Sequence, residues 1–176
     1  MTYGGAWRVL PALAVAMAAP AAAQDFDPTA LDLATLIECR ANAPAYNGFA
    51  LWFSGEPDAA DKLGWRPVDA GNFLLQQYEM SAPVNVFGHT TETVAFTSTG
   101  LMAVLDGVSA PELATERGIV PLIATRDKFL GEKVLVDDSE IVDGITYATR
   151  ISLNVSTVDS HPGKVLAGCS YAIEVK

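Results

Sequence analysis

Two histidines, His89 and His161, are the only imidazoles in this 176-residue chain, and each falls in a stretch that reads as a turn or loop. A Ser-His-Asp site would need one of them to meet a nucleophile and an acid in space. His89 is followed by Thr90, Thr91 and Glu92, polar neighbours able to polarise it. Ser98 lacks the G-x-S-x-G setting that exposes a nucleophilic serine on a strand-to-helix turn. The residues permit a small hydrolase using His89 or His161 but do not specify one.

The acidic run Asp137-Asp138-Ser139-Glu140, with Asp143 beyond it, invites a Ca²⁺ reading. Its spacing fails the EF-hand pattern, in which ligands alternate with spacers and a glycine sits mid-loop. Neighbouring residues of a strand also point to opposite faces, so Asp137 and Asp138 do not converge on one ion. A solvated hairpin tip is the expectation, and its charge discourages edge-to-edge aggregation. No phosphate-binding glycine loop, zinc spacing or paired-carboxylate signature is present, so neither metal nor cofactor is expected.

Trp52, Phe53 and Trp65 make the stretch from 46 to 66 unusually aromatic. Such a group packs a core where helices meet a sheet, or it lines the wall of a small apolar-ligand carrier. Cys39 and Cys169 are the only cysteines. With no C-x-x-C and no nearby histidine, they read as one structural disulfide joining the front of the fold to its last strand.

The elements that must position these residues begin after the N-terminus. Residues 1–23 have the layout of a secretory signal: Arg8, then the apolar run Val9 to Ala19, then Ala21-Ala22-Ala23. The run is too short to span a bilayer, which takes about 20 apolar residues. Cleavage is expected after Ala23, and no cysteine follows that would mark a lipoprotein. What remains, residues 24–176, suits a single domain of a size that buries roughly 70% of its unfolded surface. It carries 10 basic and 21 acidic residues, a net charge of −11 against −10 for the full chain. That balance is unsuited to nucleic acid or anionic lipid.

Asp27-Pro28 reads as the start of a helix ending near Ala43, with Leu33, Leu36, Ile37 and Arg40 on one face. Tyr46 to Gly55 reads as a short strand or packed loop, and Asp58 to Leu63 as a short helix. Four strands are expected between Phe73 and Asp106: Phe73–Met80, Val84–Phe87, Thr93–Thr99 and Leu101–Leu105. The alternation in the third fits a sheet with one wet face. Ser109 and Glu112 form a capping box for a helix ending at Gly118. Ile119 to Ala124 follows, with Pro121 arguing for an edge strand.

Asp143-Gly144 between two β-rich runs signals a two-residue hairpin. That turn pairs Val136 with Ile151, Val134 with Leu153, and Asp137 with Arg150 as a cross-strand ion pair. Lys164 to Val175 forms the last strand, with Val165, Ala167, Cys169, Tyr171, Ile173 and Val175 on one face. The expected class is α+β: an antiparallel sheet of six to eight strands with helices packed on one face and one disulfide. Helix plus four strands occurs twice in this order, without a residue-level repeat. The functional expectation is an exported, periplasmic or extracellular, non-catalytic domain. It would bind a protein, peptide or envelope component, with no membrane span.

Overall fold

A computed structural model describes residues 1, 27, 30 and 32–176. The proposed signal segment and most of the Asp27-Pro28 helix start lie outside these residues. Three short helices lead: α1 (Leu33–Ile37), α2 (Ala43–Gly55) and α3 (Ala59–Lys62). Four strands follow, β1 (Trp65–Val68), β2 (Gln76–Val86), β3 (His89–Phe96) and β4 (Gly100–Asp106). Then come α4 (Ala110–Arg117) and four more strands, β5 (Val120–Ala124), β6 (Phe129–Val142), β7 (Ile145–Ser156) and β8 (Lys164–Val175). All eight strands form one antiparallel sheet in the order β1-β2-β3-β4-β8-β7-β6-β5. Each half is a meander, and the halves join only where β4 pairs with β8. A four-stranded meander therefore occurs twice, the first preceded by three helices and the second by one.

The first helix is shorter than its spacing predicts. Asp32, not Asp27, caps α1, its Oδ1 accepting from the Thr35 amide at 3.2 Å. The helix stops because Cys39 adopts φ 58, a left-handed conformation that an α-helix cannot continue. The largest correction concerns Tyr46 to Gly55, which is neither strand nor loop but the body of α2. Asn42 caps it, accepting from the Ala45 amide at 2.9 Å, and Pro44 occupies the first turn, where its missing N–H costs nothing. The proline that was expected to end one helix begins the next. Tyr46 and Phe49 are buried three residues apart, with half-buried Ala50 and Phe53 continuing the same helical stripe.

The strand limits also shift. Trp65–Val68, unassigned in the sequence, pairs with β2 as an edge strand. The separate strands expected at Phe73–Met80 and Val84–Phe87 are one, β2, whose register against β3 shifts between Glu79 and Val84. Ser81-Ala82-Pro83 is thus a bulge and not a turn, consistent with a proline that has no N–H to donate to a ladder. β3 begins at His89 and ends at Phe96, earlier than Thr99. The fold-defining features of the second half follow the sequence closely. Ser109 accepts from the Glu112 amide, and Gly118 closes α4 at φ 64, where a side chain would be strained. β5 is an edge strand, and β8 has the expected limits.

The β6–β7 turn is Asp143-Gly144, both at positive φ (52 and 81). From it the ladder runs in the expected register through Val142↔Ile145, Asp137↔Arg150 and Val136↔Ile151. A bulge between Val134 and Val136 then slips the register by one. Val134 faces Ser152, and Lys133 takes the place opposite Leu153 that the uninterrupted ladder gave to Val134.

The main core gathers Val94, Leu101, Ala103, Leu105, Leu153, Val155, Val165, Ala167, Cys169 and Tyr171 from the sheet. Leu36, Ile37, Tyr46, Phe49, Leu113 and Ala114 join it from α1, α2 and α4. The opposite sheet face is not simply wet. Ala95, Met102, Val104 and Leu166 form a second buried cluster there, with Leu75 and Val158 from two loops packed against it. That is why β4 is buried at six of its seven positions. The disulfide between Cys39 and Cys169 is formed, tying the end of α1 to β8. Tyr171, two residues on, donates its hydroxyl to the Leu36 carbonyl at 2.7 Å and stacks on Tyr46.

Candidate functional site

His161 lies in the loop between β7 and β8 and is buried. Both ring nitrogens are engaged: Nδ1 with Ser160 Oγ at 2.9 Å and Nε2 with Gln77 Oε1 on β2. The Gln77 carbonyl can only accept, so Nε2 carries the proton and Nδ1 accepts from the Ser160 hydroxyl. A serine thus touches the imidazole, but an amide stands where a hydrolytic triad places a carboxylate. An amide does not stabilise an imidazolium by charge. Burial, and secondarily the charge of Lys164, hold the His161 imidazole below its ordinary value near 6.5. The arrangement works as a polar clamp fastening the β7–β8 loop over the second core cluster.

The clamp carries a pH signature. A depressed folded value means the unfolded chain binds more protons between that value and about 6.5. The clamp's contribution is therefore complete above the unfolded value and is lost as pH falls from there through the lower folded value. His161→Gln is expected to lower the urea midpoint near pH 7.5 while flattening its decline as pH falls below about 6.5. An unchanged slope in the variant would remove the clamp from the acid sensitivity.

His89 lies far from this clamp. It sits opposite Val86 at the other end of β2, nine positions from Gln77, or roughly 25–30 Å along a strand. Its neighbour Phe87 is anchored from two sides. The Phe87 amide donates to Glu38 Oε1 at 2.7 Å, and Arg117 donates to the Phe87 carbonyl at 2.6 Å while lying over its ring. The fold brings neither histidine to the other.

Trp52, Phe53 and Trp65 meet Phe49, Tyr78 and Phe96 in one aromatic group. Ring centroids lie 4.8 Å apart for Phe53–Phe96 and 5.5 Å for Phe53–Trp65, with edge-on contacts from Tyr78. Trp65 is buried, and Trp52 and Phe53 are partly buried against the main core. These rings pack on one another. Burial also pushes the phenols of Tyr46 and Tyr171 up to about 12, so both remain neutral hydroxyls.

The acidic run lies on the projecting β6–β7 hairpin. Arg150 holds Asp137 at 3.3 Å and Glu132 at 3.1 Å on one face. Pairs this exposed contribute at most about 1 kcal/mol. Asp138 and Glu140 share the other face with Val136, Val142, Ile145 and Tyr147, as alternation from the turn requires. Among the described residues, no three His, Cys, Asp or Glu side chains are grouped to hold a metal ion.

That second face continues onto Ile173 and Val175 of β8, through the pairs Thr149↔Ile173 and Tyr147↔Val175. Val175 is 67% exposed, and Val136, Ile173, Ile145 and Val142 are 39–46% exposed. A groove of about 300 Å³ runs here between Pro44 of α2 and the hairpin, lined by Val136, Asp138, Glu140, Tyr147 and Ile173. Sequence reasoning found the hairpin and its charge but not this apolar strip, because Val136 and Ile151 alternate as core residues should. The strip is exposed because, beyond Pro44 at its edge, no helix among the described residues covers it.

The architecture is an α+β domain built on a single antiparallel sheet with one disulfide. No protein-family model, no curated protein and no solved structure matches the chain. The disulfide points to a non-cytoplasmic, oxidising location. No helix among the described residues is long and apolar enough to cross a membrane.

Proposed function

We propose that this protein is an exported, non-catalytic binding domain that docks a protein or peptide on the β6–β7 hairpin. The observation that carries this reading is the mixed apolar and acidic strip of Val136, Val142, Ile145, Ile173 and Val175 beside Asp138 and Glu140. Contiguous exposed apolar surface of this kind marks interaction sites on soluble proteins. The acidic neighbours select a partner segment that pairs apolar residues with lysine or arginine. Export rests on residues 1–23, read as a signal removed after Ala23, together with a disulfide suited to a periplasm or the cell exterior.

The test is a pull-down from native envelope extract, using the wild type beside a Val142→Lys, Ile145→Lys variant. Both positions are already solvent-facing, so the variant should keep its thermal melt. A partner recovered by the wild type and lost by the variant is the expected outcome. Recovery of no partner at any salt concentration, or equal recovery by both, would overturn the assignment.

A further inference from the structure

Away from the hairpin, a cleft of about 460 Å³ opens between the start of α4, the β5–β6 turn and the β7–β8 loop. That volume is in the range of small-molecule sites. Its deeper wall is apolar, with buried Phe129 and Val165 beside Ala110. Its mouth carries three cations, Arg126, Lys128 and Lys164. Asp127 and Asp159 line it too, which leaves a net charge of +1 with His161 neutral, on a chain whose total is −10.

Most other cations among the described residues are engaged by partners. Arg40, Lys62, Arg66 and Arg150 are each held by carboxylates. Arg117 and Lys133 donate to backbone carbonyls. Lys164 reaches Asp106 only at 4.0 Å. Among the described residues, no carboxylate pairs with Arg126 or Lys128. The walls are also fixed in advance. The Phe129 amide donates to Thr157 Oγ1 at 2.8 Å, the Thr157 amide donates to the Phe129 carbonyl at 2.9 Å, and His161 fastens the far side to β2. Preformed walls lower the ordering cost of binding.

We propose that this cleft binds a small organic carboxylate with an apolar body. The carboxylate sits at Arg126, Lys128 and Lys164, and the body lies against Phe129 and Val165. Charge-assisted hydrogen bonds from Arg126 and Lys128, with Lys164 held only at 4.0 Å by Asp106, supply the attraction, and burial of the apolar body supplies the rest. This assignment is independent of the hairpin surface and survives its failure.

The probe is octanoate, titrated into the ¹⁵N-labelled protein and followed by amide shifts. Octanol tests the body without the charge, and acetate the charge without the body. Octanoate is expected to produce saturable shifts confined to 125–129 and 157–165, and octanol and acetate are not. Arg126→Gln with Lys128→Gln, both exposed, should weaken octanoate at least about tenfold while leaving the remaining spectrum in place. Absence of shifts in the cleft would overturn the proposal. So would shifts reproduced by octanol alone, or affinity unchanged in the double variant.

Discussion

Replacing both Cys39 and Cys169 with alanine is expected to destabilise the protein by about 5 kcal/mol, as much as truncating a fully buried aromatic ring. The crosslink closes a loop of 130 residues, and loop-closure entropy grows with loop length. The native state loses specific packing as well. Cys169 is fully buried in the main core, between Leu101 on β4 and Leu153 on β7. Without the bond, α1 keeps Asp32 as its cap and, besides its packing in the core, the Tyr171–Leu36 hydrogen bond as its remaining polar tie to β8. A five-residue helix is far below the length that is stable unaided. Typical domains have only about 5–15 kcal/mol in total, so the loss would take a large share. Urea unfolding of the oxidised protein against the double variant measures it. A difference below about 1 kcal/mol would mean that the crosslink leaves the unfolded ensemble largely unrestricted.

Phe49→Ala is expected to cost about 3–5 kcal/mol, the range for deleting a fully buried ring without collapse of the cavity. Phe49 has no exposed surface and touches four aromatic rings: Trp52, Phe53, Trp65 and Phe96. Its loss would leave a void that rigid neighbours cannot fill. Leu51, on the solvent side of the same helix at 75% exposed, is the control, and its alanine variant should stay within about 0.5 kcal/mol. The pair also separates packing from a ligand-lined wall. In a packed group the Phe49 variant unfolds at lower urea and tryptophan fluorescence reports that unfolding. In a ligand carrier the same variant would lose a co-purifying ligand, seen by native mass spectrometry, at little cost in stability. A cost under about 1 kcal/mol would sink the packing account.

The features legible in the sequence were those encoded by neighbours. Asp143-Gly144 declares its own turn, and Asp137 and Arg150 fall opposite one another by counting outward from it. Ser109, Glu112 and Gly118 mark both ends of α4 within ten residues. The two cysteines have no other partner to choose. Where reading failed, a distant neighbour decided. Tyr46 to Gly55 is rich in aromatic residues, which favour strand, and holds two glycines, which disfavour helix and suggest a loop. It is helical because burial of Tyr46 and Phe49 against the sheet outweighs local preference. Ser81-Ala82-Pro83 resembles a turn but lies within a strand, because β3 pairs on either side of it. His161 was visible as a loop histidine. Its partner Gln77 lies 84 positions away, and no local pattern announces such a contact. The cleft at Arg126 and Lys128 has the same origin, since three separated segments build it.

The join between β4 and β8 also has a consequence in time. Every other strand pair in the sheet links consecutive strands, which can find one another soon after both exist. β4 must instead wait for β8, the last of these elements to be synthesised, with more than fifty residues between them. Until then β4 is an apolar ribbon with one edge open, and such edges recruit other chains. Contacts of long sequence separation also form slowly. The first meander therefore spends the whole synthesis of the second half exposed, and a holdase that covers β4 during that interval would set how much of the chain reaches its native form.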